Sequence, residues 1–208
     1  KKEFENFVES NMQQALDSQC FEMVLQPKID LQTNSVIAAE ALVRWRLEDG
    51  TYLPPSSFVD IFEKNRFCSK LDFYMLKKAI QQIRKWIDMG INPVNISVNQ
   101  SKIVFYHENY ISELKSLLEE YNVSGSYITL EVLESTVIED IDMFNSILTE
   151  VKKLGFSVSL DDFGSGYSSL NVLSKLQIDE LKIDRIFLHT KSEVDNQRTK
   201  WILESIID

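Results

Sequence analysis

The chain has few of the residues that mark several common protein classes. It contains two cysteines, two histidines, four prolines and six glycines among 208 residues. Cys20 and Cys68 lie far apart among apolar residues, which predicts two buried thiols rather than a disulfide framework. His107 and His189 are expected at the surface, and the absence of any CxxC spacing argues further against a zinc site. The scarcity of proline and glycine argues against a linker-rich or disordered chain.

Positive charge and long apolar runs are also scarce. The formal net charge is −10, which argues against non-specific binding to nucleic acid or to anionic lipid. No apolar run approaches the roughly 18 residues of a membrane-spanning helix. The first residues, Lys1-Lys2-Glu3-Phe4, lack the apolar core of a signal peptide. We therefore expect no nucleic-acid polymer as a partner and no direct membrane contact.

The chain does have the apolar residues needed for a core, because 44% of it is hydrophobic. Residues 3–18 carry apolar side chains at helical spacing, and this amphipathic helix is expected to continue from an upstream connector. Strands are predicted over residues 21–29 and 36–45. The six residues between them are too few for a helical crossover, so these strands should be antiparallel neighbours.

Helices and strands then alternate to the end of the chain. Helices are predicted over 58–64, 71–89, 109–121, 142–154, 168–176 and 195–207, and strands over 94–98, 127–133, 156–161 and 180–186. This order predicts parallel βα units, and hence an α/β fold that is either a doubly wound sheet or a (β/α)₈ barrel. A barrel has eight strands where six are counted, so the last two βα units are expected to be missing from these residues.

Polar side chains occur late in five successive predicted strands. They are Glu40, Asn95, Glu131, the pair Asp161-Asp162, and Lys182. The carboxyl ends of strands form the sites of α/β proteins, and a buried charge is costly unless it is paired or metal-bound. An oxygen-rich set of this kind suits Mg²⁺ or Mn²⁺. The alternatives are a strand cap and turn for the aspartate pair, and a structural ion pair for Lys182.

Two further features bear on the substrate. Arg44 lies toward the end of the strand that carries Glu40, where a guanidinium suits a phosphodiester, although an ordinary surface arginine would fit the same pattern. The run Gly164-Ser165-Gly166 is not followed by the Gly-Lys-Ser/Thr of a Walker phosphate loop, and we interpret it as a tight turn. The residues alone thus predict a metal-dependent enzyme on a βα barrel that acts on a phosphate ester.

Together these motifs resemble the EAL-domain family, bacterial phosphodiesterases of cyclic di-GMP. The family name is spelled by Glu40-Ala41-Leu42. The other matches, in family order over nearly the whole chain, are Gln26-Pro27, Asn95-Ile96-Ser97, Glu131-Val132-Leu133-Glu134, Asp161-Asp162-Phe163-Gly164-Ser165-Gly166-Tyr167-Ser168-Ser169-Leu170 and Leu181-Lys182-Ile183-Asp184. A single tripeptide is weak evidence, but the set is specific.

The resemblance implies a modified TIM barrel with an antiparallel first strand, and residues 1–208 would be a C-terminally incomplete EAL phosphodiesterase domain. It implies hydrolysis of cyclic di-GMP to linear pGpG by a two-metal in-line mechanism with two Mg²⁺ or Mn²⁺ ions. It also implies a homodimer, and a cytoplasmic domain within a larger sensory or membrane-anchored bacterial protein.

The resemblance further implies a role for each matching residue. Glu40, Asn95, Glu131 and Asp161 would hold one metal ion, and Asp161 with Asp162 the other. Lys182 would position the attacking water or stabilise charge, and Glu134 would anchor the loop after Asp162. The substrate groove would be lined by Gln26, Leu42 and Arg44.

Two family features are not found in these 208 residues: a Glu-Gly-Val-Glu strand that supplies another metal-site glutamate, and a Gln-Gly motif in the final strand. Their absence favours an alternative, a non-catalytic cyclic di-GMP receptor or protein-interaction scaffold. A different metal-dependent barrel enzyme, such as an enolase-like lyase, fits the Asp-Asp-Phe-Gly string less well.

Overall fold

The structure is a computed structural model that describes residues 2–137, 140–164 and 173–184. Within these ranges it contains seven strands and seven α-helices. The strands are β1 (Phe21–Ile29), β2 (Val36–Arg46), β3 (Tyr52–Leu53), β4 (Asn95–Gln100), β5 (Ile128–Leu133), β6 (Ser157–Phe163) and β7 (Glu180–Ile183). The helices are α1 (Lys2–Asp17), α2 (Val59–Lys64), α3 (Cys68–Asp88), α4 (Lys102–Phe105), α5 (Tyr110–Tyr121), α6 (Glu134–Val137) and α7 (Ile141–Lys153).

One sheet contains all of these strands, in the order β1-β2-β4-β5-β6-β7, with the two-residue β3 paired to β2. Strands β1 and β2 are antiparallel, which confirms the prediction made from their short connection. The pairs from β2 to β7 along this order are all parallel. The α/β fold with an antiparallel first strand is therefore as predicted, while β3, α4 and α6 were not predicted.

The sheet curls into a barrel-like wall, as contacts between distant strands demonstrate. Lys28 on β1 lies 3.0 Å from Glu180 on β7, although these strands stand at the two ends of the described sheet order. Lys182 on β7 likewise reaches Glu40 on β2. A flat sheet would hold these strands more than roughly 15 Å apart, since neighbouring strands are about 4.8 Å apart. Their side chains meet because these residues point to the concave side of the curled sheet.

The helices cover the outer face of this sheet. Helix α3 buries an apolar stripe that was predicted from its periodicity, and it ends next to Gly90, whose φ of +72° is the left-handed conformation of a helix terminator. Four buried aromatic rings, Phe21, Trp45, Phe58 and Phe62, pack against one another with centroids 5.1–6.1 Å apart. They fix the β1–β2 pair to α2, which places Glu40 at a defined height in the barrel.

Some predicted segments lie outside the described residues: most of the 168–176 helix, the end of the 180–186 strand, the 195–207 helix and the Ser165-Gly166 turn. Among the helices of the described ranges, none is both long and apolar enough to cross a membrane.

We expect Gly125 to be required for the entry into β5, the strand that carries Glu131. A Cβ atom on Gly125 would collide with the backbone oxygen of Leu154, which cannot rotate away. Gly125→Ala should lower the free energy of unfolding by about 3 kcal/mol, the upper range for overpacking.

Urea denaturation measures this loss, and Gly90→Ala is the matched control. Gly90 has left-handed backbone, but a Cβ atom added there would meet no atom within 4 Å, so the substitution should cost about 1 kcal/mol. An equal loss for the two variants would contradict the role assigned to Gly125.

Candidate active site

Three carboxylates converge inside the barrel, one from the middle of its strand and two from the second half of theirs. Glu40 comes from β2, Glu131 from β5 and Asp161 from β6, and one oxygen of each lies within 4.8 Å of the others. Glu131 is 1% exposed. Like-charged groups this close repel strongly in a buried site, so the cluster requires a cation or a set of donors to be stable.

The ammonium group of Lys182 supplies this positive charge. Its Nζ atom donates to Glu131 Oε2 at 2.7 Å, to Asp161 Oδ2 at 2.8 Å and to Glu40 Oε2 at 3.2 Å. Burial of the amine disfavours its charge, but its hydrogen bonds to Asp161 and Glu131 outweigh that effect and raise the pKa of Lys182 above its ordinary value. Lys182 therefore remains protonated in the cluster.

A second lysine, which sequence reasoning missed, contacts the other oxygen of Glu131. Lys28 Nζ donates to Glu131 Oε1 at 2.9 Å, to Ser97 Oγ at 2.7 Å and to Glu180 Oε1 at 3.0 Å. Burial works against its charge, yet the hydrogen bonds to Glu131 and Glu180, and the charges of these carboxylates, raise the pKa of Lys28. The alternation of side chains along a strand could have revealed this residue. Lys28 lies two residues after Gln26, so both side chains are expected on the same face of the strand.

The prediction that Asn95 lies at the carboxyl end of its strand is wrong. Asn95 is the first residue of β4, where its side chain accepts from Thr129 Oγ1 at 2.8 Å and donates to the Ser126 carbonyl at 3.2 Å. Asn99, four residues and about 13 Å further along the strand, donates to Glu40 Oε1 at 3.2 Å. The sequence contains a second Asn-x-Ser run at Asn99-Gln100-Ser101, and this run stands at the cluster.

A local irregularity of β6 presents its two aspartates. The β6–β7 register shifts between Leu160 and Phe163, and Asp162 has a φ of +55°, which is uncommon for a residue with a side chain. The backbone N–H of Asp162 donates to Asp161 Oδ1 at 2.8 Å. Burial, with the charges of Asp161 and Asp184, raises the pKa of Asp162. Such strained positions concentrate at functional sites.

Glu134 lies next to this irregularity. It is the first residue of α6, is 2% exposed, and its Oε2 accepts from the backbone N–H of Gly164 at 2.9 Å. The contact connects the end of β5 to the turn after β6. It therefore joins Glu134 to the start of the segment that follows Asp162.

A cavity of about 360 Å³ opens beside Glu131, the buried member of the carboxylate cluster. Its lining includes Leu42, Asn99 and Glu131 on the barrel side and Asp72 on α3. Leu42 thus lines a cavity at the cluster. Gln26 and Arg44 are not among the residues that line it. Gln26 lies on β1, where it pairs with Glu40 of β2 and is exposed. Arg44 donates to the carbonyl of Val43.

Asp72, like Asn99, is a polar residue of this cavity that sequence reasoning missed. Its Oδ2 accepts from the backbone N–H of Ser101 at 2.8 Å. Burial raises the pKa of Asp72 to about 7, although the hydrogen bonds from Ser101 lower it in part. A carboxylate in a mostly apolar cavity can accept two parallel N–H bonds from a planar ligand.

The donor set fits a hard divalent cation. The two ammonium groups and the four carboxylates they contact leave two negative charges, the amount that one divalent ion neutralises. The three clustered carboxylates and the Asn99 amide offer oxygen ligands, which Mg²⁺ and Mn²⁺ prefer.

Comparison with known proteins identifies related chains. The EAL domain family profile matches residues 9–208. The bifunctional diguanylate cyclase/cyclic di-GMP phosphodiesterase MucR of Pseudomonas aeruginosa is 35% identical over 179 residues, which cover 86% of this chain and 26% of that protein. The cyclic di-GMP phosphodiesterase PdeR of Escherichia coli is 33% identical over 182 residues, covering 88% and 27%. The chain spans about a quarter of the length of these relatives.

Solved structures show the same relationship. The PaMucR phosphodiesterase in complex with c-di-GMP superposes with a TM-score of 0.84 at 33% identity, covering 91% of this chain and 78% of that one. The FimX EAL domain of Pseudomonas aeruginosa bound to c-di-GMP has a TM-score of 0.83 at 20% identity, covering 96% and 79%, which supports the fold alone.

Asp72 should make stability depend on pH. Because its pKa in the folded chain is about 7 and its ordinary value is 3.8, the folded state holds the proton more tightly. Its contribution to the free energy of unfolding is full below about pH 4 and is lost as the pH rises through 7. Asp72→Asn, which does not titrate, should gain up to about 4 kcal/mol relative to the parent between pH 4 and 8.

Urea denaturation at several pH values tests this, with Asp88→Asn on the same helix as the control because its side chain is 64% exposed. A stability difference for Asp72→Asn that does not change with pH would contradict the assignment.

Proposed function

Because the chain belongs to the EAL domain family, we propose that it hydrolyses cyclic di-GMP to linear pGpG with two bound Mg²⁺ or Mn²⁺ ions. The observation that carries this proposal is the convergence of Glu40, Glu131 and Asp161 within 4.8 Å. Two relatives above 30% identity are named as phosphodiesterases of this dinucleotide, which supports the substrate.

The residues that would hold the first ion are Glu40, Asn99, Glu131 and Asp161. Asn99 replaces the Asn95 of the sequence prediction, because its amide already contacts Glu40. Asp161 would also serve the second ion together with Asp162, since their carboxylates are adjacent on the irregular end of β6. When bound, the two ions would activate a water and neutralise charge that develops on the phosphodiester.

Lys182 has a defined task in this proposal. Its ammonium contacts three oxygens of the acid cluster, and the same three residues would hold a divalent ion. The flexible lysine stem lets the ammonium turn toward the phosphate while it stays charged. We infer that Lys182 then stabilises the negative charge that grows on the phosphate oxygens and orients the attacking water.

The cavity beside the cluster is proposed to hold one guanine base. It shares Asn99 and Glu131 with the metal site, so a nucleotide with its phosphate at the carboxylates would extend its base toward Asp72. Guanine presents two N–H donors side by side, which a carboxylate accepts as a pair. Leu42 would cover the base. Gln26 and Arg44 stay predicted contacts for the outer part of the dinucleotide.

A homodimer also stays a prediction. It rests on the family resemblance, and most of the loop after Asp162, residues 165–172, lies outside the described residues.

A second candidate function is a receptor that binds cyclic di-GMP without hydrolysis. It is favoured by the position of Lys182, because the ammonium neutralises part of the negative charge of the cluster. A dinucleotide could then bind in the cavity while the carboxylates stay paired to lysine.

Turnover decides between these functions. The full chain with Mg²⁺ or Mn²⁺ should convert cyclic di-GMP to linear pGpG, and chromatography measures the amount of product. Asp161→Asn, which removes the carboxylate common to both ions, should lower kcat by at least about 100-fold, beyond the usual 10- to 100-fold loss for a residue that merely supports a ligand. Asp162→Asn should mainly weaken the second ion.

Lys152→Met serves as the control, because its partner Asp179 lies outside the acid cluster. Calorimetric binding of cyclic di-GMP without turnover at high enzyme and saturating metal would favour the receptor. Full activity of Asp161→Asn would contradict the bridging role.

Asn99 and Asn95 form a natural pair for testing the metal ligands. Asn99→Ala should weaken Mn²⁺ binding by about 10-fold or more, because it removes an amide that contacts Glu40. Asn95→Ala should leave Mn²⁺ affinity unchanged and lower the free energy of unfolding by about 1 kcal/mol through the lost Thr129 hydrogen bond.

Titration calorimetry with Mn²⁺ and urea denaturation measure the two effects separately. The opposite pattern, with Asn95→Ala losing metal and Asn99→Ala keeping it, would restore the original sequence prediction.

A further inference from the structure

The buried carboxylate of Glu131 is held by an ammonium group on each of its two oxygens. Lys182 contacts Oε2 at 2.7 Å and Lys28 contacts Oε1 at 2.9 Å. Because Lys182 also contacts Glu40 and Asp161, Oε2 is the oxygen on the side of the acid cluster. Oε1 therefore faces away from the cluster, toward Lys28.

Lys28 is itself fixed by its other partners. Its three N–H donors are all used, by Ser97, Glu131 and Glu180, which come from β4, β5 and β7. Its own strand is β1, so one ammonium connects four strands inside the barrel. An ammonium with three acceptors at 2.7–3.0 Å has little freedom to move, and it limits rotation of the Glu131 carboxylate.

We propose that Lys28 is a positioning residue that holds Glu131 through Oε1, so that Oε2 is presented to a divalent cation in the acid cluster. This inference rests on the proposed function and extends it to a residue outside the set of ligands. It assigns different tasks to the two lysines: Lys182 occupies the cluster itself, whereas Lys28 acts on it through Glu131.

The physical reason is the cost of leaving a buried carboxylate oxygen without a donor. With Lys28 in place Glu131 has no exposed side-chain surface, so its Oε1 relies on the Lys28 ammonium as a donor. Without Lys28, the carboxylate can rotate and bind Lys182 through both oxygens. An incoming ion would then have to displace a stronger ion pair. Groups that orient a metal ligand from behind typically change metal affinity about 10- to 100-fold.

Simple electrostatics predicts the opposite sign, which makes the proposal testable. If Lys28 acted only as a nearby positive charge, its removal would strengthen cation binding, and removal of the negative charge of Glu180 would weaken it. If Lys28 positions Glu131, its removal weakens cation binding. Loss of Glu180 then has a smaller effect, because Lys28 keeps its bond to Glu131.

The experiment measures Mn²⁺ affinity of the full chain by electron paramagnetic resonance, without substrate. Lys28→Met should bind Mn²⁺ about 10- to 100-fold more weakly than the parent. Glu180→Gln should change the affinity less than Lys28→Met does. Lys28→Arg, which keeps a charged donor, should recover part of the loss. In the hydrolysis assay, the Mn²⁺ concentration for half-maximal activity should rise while KM at saturating Mn²⁺ is unchanged.

Unchanged or tighter Mn²⁺ binding by Lys28→Met would overturn the proposal, as would a parent chain that binds no Mn²⁺. If circular dichroism shows that Lys28→Met does not fold, Lys28→Gln is measured instead, and weaker binding supports the proposal while equal or tighter binding overturns it. A parent that binds Mn²⁺ but does not hydrolyse cyclic di-GMP would contradict the proposed function alone, because the Mn²⁺ measurement does not depend on turnover.

Discussion

The interior of this barrel depends on the pairing of the Glu131 carboxylate, whose side chain has no exposed surface. A buried carboxylate without partners costs several kcal/mol, so the surrounding strands must supply compensating groups. Lys28 and Lys182 do so from β1 and β7, at the two ends of the described sheet order. The same ion pairs therefore stabilise the curled sheet and create a cluster of carboxylates that can accept a divalent ion.

This dual use explains why the polar groups lie where they do. The amino-terminal part of the interior is occupied by groups that satisfy one another, such as Asn95 with Thr129 and Lys28 with Ser97. The carboxyl-terminal part holds more carboxylates than lysines, and the cavity opens beside it. Excess negative charge is thus confined to the end of the strands where a metal and a phosphate can enter.

Sequence reasoning recovered most of the elements, since helix periodicity and strand length are local properties. It missed β3, α4 and α6, because a two-residue strand and single helical turns leave almost no periodic signal. In the site, it found Glu40, Glu131, Asp161 and Lys182, which the structure brings together. It named Asn95, but the hydrogen bonds of the folded chain bring the Asn99 amide to Glu40 and turn Asn95 toward Thr129 and Ser126, which spacing along the chain does not reveal.

Spacing along the chain was enough to establish the order of the elements, the antiparallel start and the residue types that a metal site needs. Local sterics and hydrophobic burial convert that spacing directly into helices and strands. The height that each polar residue occupies in the barrel is not a local property. It is set by the stagger between neighbouring strands and by the curvature of the sheet, which arise only when the elements pack together. For this reason Lys28, Asp72 and Asn99 joined the site only in the folded chain, where distant strands and helices meet.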